Sequence, residues 1–164
     1  VFTCRLRLFD GFNQAIGKVA VVTGSSRSIG AAIARALGAE GANVVVNYVN
    51  DANAAKTVVD SIKSTGKGNA IAVKANVSTI EGGRSLVNAA VREWRKIDIL
   101  ILNAGIMGSK VLSDVDEGFF DSHFHTNVKA PLFTVKYAIP HLTARTFDIF
   151  PPCDCCKVNS NTVS

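Results

Sequence analysis

Four short, almost wholly apolar runs recur along this chain, each followed by helical spacing, and this alternation limits the fold more than any other feature. The runs are residues 18–23 (KVAVVT), 43–48 (NVVVNY), 71–74 and 97–102. A strand with one wet face alternates polar and apolar residues, whereas a near-continuous β-branched run is buried on both faces, as in a parallel sheet covered by helices. Between the runs, Ile29, Ile33, Ala36 and Leu37 recur at helical spacing, with Gly41 placed to end that helix. Residues 51–65 predict a second helix presenting Ala55, Val58, Val59 and Ile62, ended by Gly66. Ser78 and Glu81 have capping-box spacing before a helix that carries Leu86, Val87, Ala90 and Trp94, with Gly82 and Gly83 weakening its first turn. A short helical stretch at 116–120 and a longer helix near 127–139 precede Pro140. Right-handed crossovers then give an α/β fold, an open doubly wound parallel sheet in three α/β/α layers, with a ligand crevice at the strand C-terminal ends.

Composition narrows the function. The length of 164 residues suits one domain, and 48% hydrophobic with 19% charged residues excludes wholesale disorder. The longest apolar stretch, 97–106, is broken by Asp98 and Asn103 and falls short of the roughly 18 residues that a membrane span needs. A net charge of +5 is spread from Arg5 to Lys157, its tightest group being Arg92, Arg95 and Lys96, which predicts a solvated surface and no nucleic-acid partner. Three of the four cysteines are Cys153, Cys155 and Cys156, so no disulfide framework holds the body, and a reducing, cytoplasmic setting is expected. That cluster lacks a second Cys/His pair at zinc spacing, and no metal site is expected. The reading is an irregular segment over 1–17, one domain over 18–142 and an irregular or disordered tail over 143–164, which holds Pro151-Pro152.

The chemistry concentrates in Thr23-Gly24-Ser25-Ser26-Arg27-Ser28-Ile29-Gly30, between the first strand and the first helix. Gly24 suits the backbone angles of a tight turn, and Gly30 lets the helix lie close to the sheet. The helix start beyond offers unpaired N–H groups and the positive end of a dipole to a phosphate. A P-loop is excluded, because neither Lys18 nor Lys67 is followed by Ser or Thr.

This segment resembles the TGxxxGxG cofactor motif of the short-chain dehydrogenase/reductase family. Asn103-Ala104-Gly105 is similar to the family's NNAG, Asp98 lies in a segment like the one leading into it, and Asn127 matches the family's helix asparagine. The likeness runs from about Gly17 to Leu142. Residues 44–48 and Lys74-Ala-Asn-Val77 are most similar to fungal polyketide-type ketoreductases. The resemblance implies a Rossmann-like sheet, here truncated after about four strands. It also implies a nicotinamide cofactor held by Gly24, Ser26, Arg27, Ser28, Ile29, Gly30, Asn47, Tyr48, Asn76, Val77, Asn103, Ala104 and Gly105. The family's reaction is hydride transfer between the nicotinamide and a small-molecule carbonyl or alcohol.

Three positions depart from the family pattern. Ser28 adds a Cβ at the middle glycine, Leu102 replaces the first Asn of NNAG, and Asn76 stands where an aspartate often meets the adenine amino group. An Asn carbonyl can accept the same hydrogen bond. Cofactor preference follows from charge: an NAD site usually ends its second strand with a carboxylate for the ribose 2′-OH. Here Asn47 and Tyr48 hold that place and Arg27 supplies a cation, so NADP(H) is expected over NAD(H), with nearby Asp51 arguing the other way.

Of the family's four catalytic positions, only Asn127 is matched, as the residue that holds a water in the proton relay. The tyrosines are Tyr48 and Tyr137, followed four residues on by Ala52 and His141, so neither makes Tyr-x-x-x-Lys. A free tyrosine, with pKa near 10, is a poor acid–base group until a cation stabilises its phenolate. His123, His125 and His141 are not expected to substitute. The expectation is therefore an oxidoreductase by descent that is inactive as written. The alternative is a non-catalytic NADP(H)-binding module or partner of a full-length reductase. An exposed fourth-strand edge and a helix at 127–139 that is apolar on several sides predict poor solubility. The family's homo-oligomer is not expected of this chain, since one of its interface helices is not matched.

Overall fold

The computed structural model describes residues 15–143. Four parallel strands, β1 (Val19–Val22), β2 (Asn43–Tyr48), β3 (Asn69–Lys74) and β4 (Ile99–Ile101), form one sheet in the order β3-β2-β1-β4. The register pairs Val19 with Asn43 and Val22 with Val46 on one side of β1, and Ala20 with Ile99 on the other. The chain steps outward from β1 to β3, then returns across β1 to β4. The strand order therefore reverses between β1 and β4, which opens a crevice at their C-terminal ends.

Successive β-strand side chains point to opposite faces, and both faces here are covered. Ala20, Val22, Val44 and Val46 meet α1 (Ser28–Ala39) and α2 (Ala52–Ser64) through Ala34, Leu37, Val58 and Ile62. Val21 and Val45 meet α3 (Ile80–Trp94) and α5 (Ala130–Ala138) through Leu86, Val87, Ala90 and Ala138. This is the expected three-layer Rossmann-like architecture. The buried face predicted for α2 is the observed one.

Several local expectations are corrected. Helix α1 does not bury Ile29 or Ala36: its inner face is Gly30, Ala31, Ala34, Leu37 and Gly38, and Ile29 is 69% exposed. Small residues win that face because the helix lies close to its neighbours, and a Cβ on Gly38 would strike the Ile62 side chain. The cap of α3 is Thr79, not Ser78, because Asn76 Oδ1 already takes the Ser78 N–H and hydroxyl and moves the helix start one residue on. Thr79 Oγ1 accepts the Gly82 N–H at 3.1 Å. Gly82 and Gly83 do more than weaken that turn, since side chains there would meet the Asn76 carbonyl and the Thr134 hydroxyl.

Beyond β4, residues 117–138 are helical throughout, as α4 (Glu117–Phe124), a wide π-type turn His125–Lys129 and α5. The sequence spacing predicts two separate helices there, at 116–120 and 127–139. Strand β4 is shorter than its apolar run, and Ile97 instead pairs in parallel with Leu142. The Ile97 N–H donates to the His141 carbonyl at 2.9 Å, and the Thr143 N–H donates to the Ile97 carbonyl at 3.0 Å. Thr143, expected in an irregular tail, is thus tied to the sheet. The rest of that tail, the cysteine cluster and residues 1–14 lie outside the described residues.

Candidate cofactor-binding site

The crevice is built by the turn after β1. Gly24 takes φ +61°, as its lack of a Cβ allows, and the next polar residues are anchored inward. Ser25 is fully buried: its hydroxyl donates to the Val22 carbonyl at 2.6 Å and accepts the Asn47 N–H at 2.9 Å. Thr23 is 3% exposed, and its hydroxyl donates to Ile101 C=O at 3.3 Å and accepts the Ala104 N–H at 2.9 Å. Motif reasoning misses both as site residues. The signal that could find them is a pair of small hydroxyl residues at the end of a buried strand, where a polar group must find partners.

Helix α1 begins with its donors unspent. Arg27 is the N-cap residue in extended conformation, and its side chain makes no capping bond. The N–H groups of Ser28, Ile29 and Gly30 have no acceptor among the described residues, whereas Ala31 N–H bonds to Arg27 C=O at 3.2 Å. Unpaired donors and the helix dipole make this end attractive to anions. Ser28 sits at φ +51°, a left-handed conformation that costs a non-glycine residue about 1 kcal/mol. It is therefore strained where the motif has glycine. Gly30 needs its small size, because a Cβ would come within 2.5 Å of the Gly24 carbonyl and 2.6 Å of Asn103 Nδ2.

The other wall is the segment after β4. Asn103 Nδ2 donates to the Thr23 carbonyl at 3.0 Å and reaches the Gly24 carbonyl at 3.3 Å. Gly24 faces Ala104 so closely that a Cβ would lie 3.2 Å from its Cα. Gly105 faces Asn127 Oδ1. The side chain of Asn127 spends both ends on one residue: Oδ1 accepts the Ile106 N–H at 2.9 Å, and Nδ2 donates to the Ile106 carbonyl at 2.9 Å. Its amide clamps the loop leaving Gly105, from within the wide turn.

The second and third strands bring the remaining residues to the same end of the sheet. Asn47 is corrected as a ribose contact, for its side chain is fully buried and hydrogen-bonded to Gly24 N–H and Ala75 C=O. Tyr48 is half-buried at the crevice mouth. Asp51 caps α2 by accepting the Ala54 N–H at 2.8 Å. Val77 is buried and Asn76 exposed. The Asn76 side-chain oxygen, expected to receive an adenine amino group, accepts the Ser78 N–H and hydroxyl, and its NH₂ has no partner among the described residues. In the turn itself, Ser26 is half-buried and Arg27 exposed.

At the opposite end of the sheet, Asp98 bonds the Val19 N–H at 2.8 Å, the Lys96 ammonium at 2.9 Å and the Thr143 hydroxyl. Burial would raise its carboxyl, but these hydrogen bonds and the Lys96 charge prevail and hold it below the usual carboxylate range. His125 and His123 each turn Nδ1 to a carbonyl one helical turn back, at 2.7 and 2.8 Å. No metal-binding group of three His, Cys, Asp or Glu occurs among the described residues.

Uncapped helix donors at the sheet's switch point, beneath a glycine turn pinned from both sides, define a dinucleotide-binding α/β domain. Residues 18–147, most of the chain, match the short chain dehydrogenase family model, and the chain belongs to that family. It is 46% identical over 127 residues to elsinochrome reductase 1 of Elsinoe fawcettii, covering 77% of this chain and 47% of that protein. Versicolorin reductase stcU of Emericella nidulans is 45% identical over 126 residues, with the same two shares of 77% and 47%. The chain thus spans about half the length of the curated relatives it matches. Among solved structures, a short chain dehydrogenase from Burkholderia cenocepacia in complex with NADP is 38% identical with TM-score 0.75, over 79% of this chain and 53% of that one. An NADH-dependent reductase complexed with NAD is 31% identical with TM-score 0.75, over 80% and 54%.

Proposed function

We propose that residues 18–142 form the NADP(H)-binding domain of an oxidoreductase that moves hydride between the nicotinamide and a carbonyl or alcohol substrate. The observation that carries this reading is the row of donors at Ser28, Ile29 and Gly30, which meet no acceptor among the described residues, beside an exposed Arg27 whose side chain makes no capping bond. The nicotinamide supplies the hydride chemistry when bound; the chain supplies the seat. Phosphates rest on the helix start, and Gly24, Asn103, Ala104 and Gly105 shape the floor beneath.

Charge supports NADP(H) over NAD(H). Arg27 offers charge-assisted hydrogen bonds to a 2′-phosphate, and no acid ends β2. Asp51, the nearby carboxylate that argues for NAD(H), uses Oδ1 to cap α2 and lies past the end of β2. In a titration followed by NADPH fluorescence, Arg27→Ala should weaken NADPH about tenfold or more and leave NADH nearly unchanged. Equal losses for both, or tighter NADH binding by the unaltered chain, would overturn the preference.

This reading assigns residues 18–142 cofactor binding and no turnover by themselves, because within them neither Tyr48 nor Tyr137 has the lysine partner that would tune its acidity. A module that senses NADP(H), or pairs with a complete reductase, fits the same observation. Ketone reduction by the purified chain with NADPH would contradict both. No helix among the described residues is long and apolar enough to cross a membrane.

A further inference from the structure

We infer that Asn47 is the positioning residue of this site, setting the phosphate turn and the base-side end of β3 at one fixed separation, and that position 47 cannot host a ribose-selecting acid. The inference rests on the dinucleotide reading above. Asn47 is fully buried near the end of β2, and a buried amide must have its hydrogen bonds met. Oδ1 accepts the Gly24 N–H at 2.9 Å, while Nδ2 donates to the Ala75 carbonyl at 2.9 Å and lies 3.4 Å from the Val73 carbonyl. Its own N–H donates to Ser25 Oγ at 2.9 Å, and its carbonyl accepts the Ser25 N–H at 3.1 Å. Gly24 and Ser25 form the turn. Ala75 is the residue before Asn76 and Val77.

The two ends of the side chain face opposite chemistry, an N–H toward the turn and carbonyls toward β3. Only an amide answers both in the same space. Aspartate would keep an acceptor for Gly24 but set its second oxygen against the Ala75 carbonyl, buried oxygen on oxygen. Leucine would strand the Gly24 N–H and the Ala75 carbonyl together. Selection at the ribose therefore passes to the next residue, Tyr48, and to Arg27 across the turn.

The test compares the full chain with Asn47→Asp, Asn47→Leu and Tyr48→Asp, at a temperature where circular dichroism shows each folded. Dissociation constants are measured for NADPH, NADH and adenosine 2′,5′-bisphosphate. Both Asn47 variants should bind all three roughly tenfold or more weakly with the NADPH-to-NADH ratio unchanged, while Tyr48→Asp shifts that ratio toward NADH. Unchanged affinities in a folded Asn47→Leu chain would reduce Asn47 to a structural role and overturn the inference, as would a ratio moved toward NADH by Asn47→Asp. Amide exchange in the unaltered chain tests the pin without relying on the variants to fold. Gly24 N–H should exchange as slowly as β1 amides without cofactor, and exchange as fast as an exposed turn contradicts the pin. If the unaltered chain binds no dinucleotide, the cofactor reading fails, while Gly24 exchange still tests the pin.

Discussion

The two halves of this sheet are finished to different degrees. Around β1 and β2 the strands are enclosed, with every residue from Val19 to Val22 and from Val44 to Asn47 fully buried. Around β4 the three strand residues are half-buried, and Phe120, Phe124, Leu132 and Ile139 each expose half or more of their surface. His123 even keeps its Nε2 buried without a partner among the described residues. The difference separates two tasks. The β1–β2 region closes on its own core and can hold a phosphate turn steady, whereas the β4–α5 region presents apolar surface that the described residues do not cover.

Mutations should sharpen that contrast, and the largest effect belongs to the enclosed half. Ile62→Ala removes a side chain that is 1% exposed and packed on Gly38, and should lower stability in urea unfolding by about 3 kcal/mol. The contrast is broken if Ile62→Ala costs no more than a change at exposed Leu132. Next comes Asp98, which ties the start of β1 to Lys96 and Thr143. Asp98→Ala should cost about 2 kcal/mol. Because the folded carboxyl is held low, its contribution is present above the usual carboxylate range and is lost as pH falls through the folded value. The unaltered chain should therefore lose stability more steeply than Asp98→Ala on acidification; parallel curves would remove Asp98 from the account.

Smaller effects follow. Ser28→Gly relieves a φ of +51° and should raise stability by up to about 1 kcal/mol, as read by thermal unfolding. A loss there would show that the Ser28 side chain makes a contact that outweighs its strain. Smallest is Leu132→Ser, at a site 64% exposed, which should move stability by less than about 0.5 kcal/mol while improving solubility. A large destabilisation would mean that the α5 surface is more enclosed than it looks.

What can be read from the residues alone is whatever a local pattern decides. The bounds of β2, the inner face of α2 and the parallel pairing all follow from β-branched runs and helical spacing. The glycine turn also shows itself, since Gly24 and Gly30 answer local demands of backbone and space. Features decided by a distant neighbour stay hidden. Ile29 faces out because Ala34 and Leu37 fit the sheet better, and Ser78 loses its cap to Asn76. Asn47 turns inward because Gly24 and Ala75, far apart in sequence, converge on it. Asn127 spends its amide on Ile106, a partner 21 residues away.

The central claim is that a dinucleotide's phosphates sit on the start of α1. Two-dimensional ¹H–¹⁵N NMR of the full chain during NADPH addition tests it most directly. The amide signals of Ser28, Ile29 and Gly30 should move furthest, with the Gly24 amide, already bonded to Asn47, moving less. Saturable binding that leaves those three signals in place would contradict the account.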